Sequence, residues 1–158
     1  MQESSSSLLI WLDQFILTAR VTANQICRNQ FGLELDQIRL LRIIAENPDQ
    51  SVSWVVRQSY LDRTAVSRAL SMFVKRKLIE RTISPEDARQ FLLKVTPAGK
   101  KLVQEANRAR ETTELRALSV LTDDERRNFE QCLAKLCKLT PEDFDRFEKA
   151  GKAAAKGS

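Results

Sequence analysis

The chain has 158 residues, 42% hydrophobic and 30% charged, with a formal net charge of +5 and no histidine. That length suits one domain, or one domain with an oligomerisation element. Without histidine there is no Ser-His or Cys-His nucleophile pair and no His-containing zinc site, and the four glycines form no phosphate-cradling loop, so an enzyme is not expected.

Ser4–Ser7 offer caps for a first helix. Leu8, Leu9, Trp11, Leu12, Phe15, Ile16, Ala19, Ala23 and Ile26 then recur every three or four residues, predicting a long amphipathic helix ending near Gly32. Asp36 to Glu46 repeats the pattern through Ile38, Leu40, Leu41, Ile43 and Ile44, and stops before Asn47-Pro48. Ser51 or Ser53 caps a short helix bearing Val52, Val55 and Val56. Leu61 or Asp62 opens the next, with Val66, Ala69, Leu70 and Phe73 on its apolar face.

The helical period then breaks. Ile79, Arg81 and Ile83 alternate with polar neighbours, Ser84 to Asp87 is turn chemistry, and Phe91 to Val95 favours β structure, so 79–95 reads as a hairpin. Thr96-Pro97 starts a long helix to about Val120, with the hydroxyl as N-cap and proline at the first position. Thr122 to Glu125 is a capping box for a helix to about Leu139. Thr140-Pro141-Glu142 starts a short last helix with Phe144 and Phe147 on one face, and a frayed tail follows Gly151. No run of apolar residues is long enough to cross a membrane. The N-terminus has an acidic residue and a serine run but no basic segment, so no secretory leader is expected and a cytoplasmic location is the default.

Charge is unevenly placed. Residues 51–101 hold 11 Lys/Arg against 4 Asp/Glu, a local +7, while the remainder carries −2. The positive charge therefore coincides with a hydroxyl- and arginine-bearing helix followed by a basic hairpin. That order suggests a winged helix-turn-helix, in which a helix enters the DNA major groove and the hairpin reaches the backbone or minor groove.

The local text resembles the MarR family of bacterial and archaeal transcription regulators. Leu33-Glu-Leu-Asp-Gln-Ile-Arg-Leu-Leu-Arg-Ile-Ile-Ala45 resembles the family's second helix, and Leu61-Asp-Arg-Thr-Ala-Val-Ser-Arg68 its recognition helix. Pro85-Glu-Asp-Ala-Arg89 resembles the wing, where an Asp with an Arg two residues on is the hallmark, and Leu93-Lys-Val-Thr-Pro-Ala-Gly-Lys100 resembles the wing exit. In order, the resemblance covers roughly residues 8–139. Tyr60 and Lys77 stand where the family usually has Gly, and Ser59 where it has an apolar residue. These departures bear on local turns, since Tyr or Lys adopts positive φ only at a cost.

The implied fold is mostly α with a small β-hairpin: a winged helix-turn-helix plus long terminal dimerisation helices. Residues 1–32 form an N-terminal dimerisation helix, 33–96 the DNA-binding region with its wing at about 79–95, 97–150 the C-terminal dimerisation helices and 151–158 a flexible tail. The implied function is that of a sequence-specific regulator, a repressor acting as a homodimer on a pseudo-palindromic operator. Two heads about 34 Å apart match one DNA turn.

Arg63, Thr64, Ser67, Arg68 and Ser71 lie opposite the apolar stripe of their helix, as base-edge and phosphate contacts, although a solvated polar face has the same pattern. Backbone N–H groups at Ser51 and Ser53 suit a phosphate, and Arg57 is a further phosphate candidate. Asp87 is expected to hold Arg89 at the wing tip for a narrow minor groove or a phosphate; the plain alternative is a surface ion pair worth about 0–1 kcal/mol.

Relatives often bind small aromatic or phenolic anions between the dimer region and the winged domain. For such an effector Arg20, Arg39, Arg42 and Trp54 are candidates, with a solvated helix face as the simpler reading of Arg39 and Arg42. Some relatives sense oxidants through a first-helix cysteine instead, but Cys27 sits towards that helix's end, and all three of Cys27, Cys132 and Cys137 read as structural, inert thiols. No cofactor or metal is expected. The remaining alternative is a non-catalytic helical adaptor that binds protein.

Overall fold

The structure is a computed structural model, and it describes residues 7–140, 142–146 and 149. Helix α1 spans Leu8–Phe31, α2 Leu35–Glu46, α3 Val52–Ser59, α4 Arg63–Lys75, α5 Pro97–Ala117 and α6 Asp123–Leu136. Three short strands join them: β1 Gln50–Ser51, β2 Ile79–Ile83 and β3 Phe91–Val95. The chain divides into two compact units, one ending at Glu114 and one starting at Leu115.

The core of the first unit is built on α2, which packs against α1, α3 and β3. Its Ile38, Leu40, Leu41 and Ile44 are buried, and they meet Leu33, Val55, Val66, Leu70, Phe73 and Leu93 from the surrounding elements. Val103 and Ala106 of α5 close the cluster. A capping box starts α2: Glu34 accepts from the backbone three residues on, and the Gln37 side chain accepts the Glu34 N–H at 2.8 Å.

Only Cys27 of α1 is buried. Three side chains four residues apart on one face of α1 fasten it to the start of α2. Arg20 pairs with Asp36 at 3.1 Å, the Asn24 Oδ1 accepts the Leu35 N–H at 2.9 Å, and Arg28 pairs with Glu34 at 2.6 Å. The helix ends at Gly32, whose φ of 62° is left-handed. Arg76, at the end of α4, donates to the Phe31 and Gly32 carbonyls at 3.0 and 3.1 Å. A guanidinium thus satisfies carbonyls that a helix end leaves open.

Both of the unusual turn positions are left-handed. Tyr60 caps α3 with φ 55°, and Lys77 follows α4 with φ 56°. Around Lys77 the bonds are those of a Schellman cap: the Lys77 N–H reaches the Val74 carbonyl at 2.9 Å and the Leu78 N–H reaches Phe73 at 2.8 Å. Ser59, in the apolar slot, is buried but satisfied, since its Oγ donates to the Val56 carbonyl at 3.0 Å and accepts the Leu61 N–H at 3.3 Å.

The hairpin forms in the expected place, with Ile79 opposite Val95 and Ile83 opposite Phe91. The sheet gains a strand the periodicity did not announce: β1 pairs antiparallel with β3, Ser51 against Leu92, giving the order β1-β3-β2. A two-residue strand has no period of its own and exists only through its partner.

Helix bounds shift modestly from the sequence reading. Helix α2 begins at Leu35 rather than Asp36, α5 stops at Ala117 rather than near Val120, and α6 at Leu136 rather than near Leu139. In the second unit the Thr122–Glu125 capping box is present as expected. Residues 142–146 are helical and Thr140 exchanges hydrogen bonds with Asp143 as their cap. Pro141, Phe147 and the tail assigned to 151–158 lie outside the described residues.

The Thr96 N–H donates to the Leu78 carbonyl at 3.0 Å, and its Oγ1 donates to the Lys77 carbonyl at 2.7 Å while accepting the Gly99 N–H at 3.1 Å. This brings the first turn of α5 onto Leu78 so closely that a Cβ at Gly99 would collide with the Leu78 backbone carbonyl. Gly99→Ala is therefore expected to lower stability by about 1–3 kcal/mol, seen as an earlier urea midpoint. Tyr60→Gly should act in the opposite direction, raising stability by up to about 1 kcal/mol, because it relieves a left-handed residue that is 94% exposed. A lower midpoint for Tyr60→Gly would show that the ring makes a compensating contact.

Candidate nucleic-acid interface

Asp62 starts α4 by accepting the Ala65 N–H at 2.8 Å on its carboxylate. The helix then divides cleanly: Val66, Ala69, Leu70 and Phe73 are buried, while Arg63, Thr64, Ser67, Arg68 and Ser71 are all exposed. Ser71 Oγ donates to the Ser67 carbonyl at 3.0 Å, so its oxygen remains able to accept. Among the described residues neither Arg63 nor Arg68 has an ion-pair partner. Arg68 borders an open groove of about 410 Å³ between α2 and α4, floored by Leu40, Leu61, Ala65 and Ala69. The carboxylates on the groove's other rim, Glu34 and Asp36, are taken by Arg28 and by Arg20 and Arg39. Arg68 is thus left as the uncompensated charge there.

Ser51 is the N-cap of α3, its Oγ accepting the Trp54 N–H at 3.2 Å. Ser53 and Arg57 are exposed at the two ends of the same short helix. The strand pair Ser51–Leu92 sets this helix start against the wing.

The wing loop is braced by its own side chains. Ser84 Oγ accepts the Glu86 and Asp87 N–H groups at 3.3 and 3.4 Å. Asp87 Oδ1 accepts the backbone N–H of Arg89 at 2.9 Å, and Oδ2 accepts the Gln90 amide at 2.9 Å. The Asp87–Arg89 partnership expected through the side chain is instead made through the main chain. A carboxylate two residues before an amide closes a local turn more readily than it reaches back to a long guanidinium. The Arg89 guanidinium is exposed and has no ion-pair partner among the described residues. Arg81, which the sequence reading passed over, is likewise exposed on the first wing strand. Its position in the strand alternation was the available signal.

The four residues considered for an effector do not share one environment. Arg20 and Arg39 both bind Asp36, at 3.1 and 3.2 Å. Trp54 packs against the core. Arg42 stands apart, partly buried, with its Nε lacking any hydrogen bond. Burial, reinforced by Arg110 and Arg39 nearby, pushes its guanidinium pKa down, against the opposing pull of Glu46 and Cys27. The Asn107 Oδ1 in α5 is also buried without a partner.

Cys27 is buried, and that burial pushes its thiol pKa up despite the pull of Arg42. Cys132 and Cys137 differ from the structural thiols expected, for both are exposed on or just after α6. Among the described residues no helix is long and apolar enough to cross a membrane.

A MarR family model matches residues 31–90, the stretch from the end of α1 through the wing loop. No curated protein matches the sequence. Wild-type MarR (apo form) from E. coli has the same fold, with a TM-score of 0.76 at 20% identity over 83% of this chain and 96% of that one. A MarR family protein of Mycobacterium tuberculosis in complex with p-aminosalicylic acid gives 0.71 at 21% identity, covering 84% and 100%. A mutant of MepR from S. aureus gives 0.73 at 19% identity, covering 84% and 97%.

The Arg89 N–H and the Gln90 amide hold the Asp87 carboxyl below the ordinary aspartate pKa. A depressed folded pKa means the brace is intact above the unfolded value and is lost as pH falls through the folded one. The Arg89 amide should therefore keep its protected position down to the ordinary aspartate pKa and lose it only below. NMR titration of that amide checks this, and a midpoint at the ordinary value would remove Asp87 from the loop's support.

Proposed function

From the match of residues 31–90 to a MarR family model, we propose that the chain is a member of that family, a sequence-specific regulator of transcription that acts as a homodimer. In this reading Arg63, Thr64, Ser67, Arg68 and Ser71 enter the major groove, and Arg89 reaches the phosphates that border the neighbouring minor groove. Ser51, Ser53 and Arg57 meet phosphates. The observation that carries it is the exposed hydroxyl-and-arginine face of α4, whose two arginines have no ion-pair partner among the described residues. Guanidinium pairs with guanine O6/N7 in two-point geometry, and hydroxyls suit either bases or phosphates.

Dimerisation is supported by α1. It leaves Leu8, Leu9, Ile10, Trp11, Phe15, Ile16, Leu17 and Val21 each at least 46% exposed. A helix segment that exposes apolar side chains on every side suits contact with another chain. The second unit adds exposed Val120, Leu133 and Leu136. A pair of reading heads then reads a pseudo-palindrome, and blocking a promoter by occupying such a site gives repression in the cytoplasm.

The released state is assigned to a small aromatic anion. The M. tuberculosis relative was captured with p-aminosalicylic acid. In this chain Arg42 has the unmet demand for an anion, since Arg20 and Arg39 already serve Asp36. The thiol-sensing alternative is disfavoured at Cys27, because a thiol whose pKa is raised by burial holds little thiolate.

The test is selection of a random duplex library on the purified protein at near-physiological salt. Enrichment of half-sites about one helical turn apart is expected. Arg68→Ala should weaken binding to the selected duplex by about 1–3 kcal/mol while leaving non-specific binding nearly unchanged. Equal loss on both would make Arg68 a phosphate contact. No retained duplex at any salt would favour the protein adaptor.

A further inference from the structure

The wing carries an apolar pair that the DNA contacts above leave unused. Three cross-strand pairs share one face of the hairpin: Ile79 with Val95, Arg81 with Leu93, and Ile83 with Phe91. The first pair is buried in the core. At the second, Leu93 is buried while Arg81 is exposed. The third overhangs the body, with Ile83 63% and Phe91 48% exposed. Along β3 the apolar row Val95, Leu93 and Phe91 runs from the core into solvent, with Arg81 interrupting the matching row on β2.

What surrounds the pair defines what fits it. Arg81 lies two residues before Ile83, and Arg89 two residues before Phe91; both are exposed and neither has an ion-pair partner among the described residues. Next along β3, Leu92 pairs with Ser51, where α3 starts. An apolar patch is therefore bracketed by cations and lies beside a helix N-terminus. The edge of a duplex minor groove has the complementary order, with deoxyribose rings exposing C–H surface between phosphates.

We propose that Ile83 and Phe91 pack on deoxyribose rings lining the minor groove, with Arg81 and Arg89 meeting the phosphates on either side. The proposal rests on the DNA reading above and adds to it a contact that releases no counterions. Apolar contact with sugar contributes to affinity equally at every salt concentration, unlike the arginines. It also depends on how closely the groove walls approach, so the wing favours sequences with a narrow minor groove without touching a base.

The experiment uses the duplex selected by the wild-type full chain. Phe91→Ala and Ile83→Ala should each weaken binding about tenfold at all salt concentrations, with an unchanged slope of log K against log salt. Arg89→Ala should instead reduce that slope by about 1. Hydroxyl-radical cleavage, which reports deoxyribose accessibility, should show wing-side sugars protected by the wild type and exposed with Phe91→Ala. Phe91→Leu, which keeps an apolar side chain in the strand, should restore most of the protection.

Unchanged affinity in Phe91→Ala, or sugars still protected, overturns the proposal while leaving the DNA reading standing. So does a change in oligomeric state on sedimentation of Phe91→Ala, which would give the pair to a protein contact. A wild-type chain that retains no duplex overturns the DNA reading and this inference with it.

Discussion

The structure depends on how α4 is seated. Its stripe of Val66, Ala69, Leu70 and Phe73 is buried against a core organised by α2, and burying such side chains contributes roughly 1.5–3 kcal/mol for each large one. Rotating the helix to hide its polar face would expose that stripe. The orientation of Arg63, Thr64, Ser67, Arg68 and Ser71 towards solvent is thus a consequence of packing, and it is what makes the face available to a groove. Both ends of the helix are fixed as well, by the Asp62 cap at one and by the Arg76 bonds to α1 at the other.

Arginine does two different jobs in this molecule. Arg20, Arg28, Arg39 and Arg76 are consumed internally, holding α1, α2 and α4 together through carboxylates and helix-end carbonyls. Each exposed pair is worth no more than about 1 kcal/mol, but together they set where the first helix leaves the winged region. Arg57, Arg63, Arg68, Arg81 and Arg89 have no ion-pair partner among the described residues, and all lie between residues 51 and 101. The local +7 is therefore largely uncompensated charge rather than one half of a surface network. Arg42 belongs to neither group, being partly buried and unpaired among other guanidinium groups.

Turn chemistry shows how a sequence departs from a pattern without losing the geometry. The left-handed positions after α3 and α4 are held by Tyr60 and Lys77, neither of them glycine. The surrounding hydrogen bonds, from Ser59 in one turn and the Schellman pair in the other, over-determine the backbone and absorb the cost. At the wing exit there is no such latitude. Gly99 lies against a backbone carbonyl, which cannot move aside as the end of a flexible side chain can.

The sequence alone determined the helices with strong 3.6-residue periods, the hairpin at 79–95, the caps at Thr96 and Thr122, the polar face of α4, and, to within one or two residues, where α3 and α4 begin. Each rests on interactions within a few residues, so the local text contains them. Strand β1 was not legible, because two residues acquire strand geometry only by pairing with Leu92 and Leu93 some forty residues away. Nor was the Arg76 clasp, which joins residues 44 and 45 positions apart with nothing local to announce it. Only the tertiary structure decided which arginines are spent and which are free, because a charge's partner is fixed by where the helices meet. It likewise turned the expected Asp87–Arg89 ion pair into a main-chain brace, leaving the guanidinium at the wing unengaged.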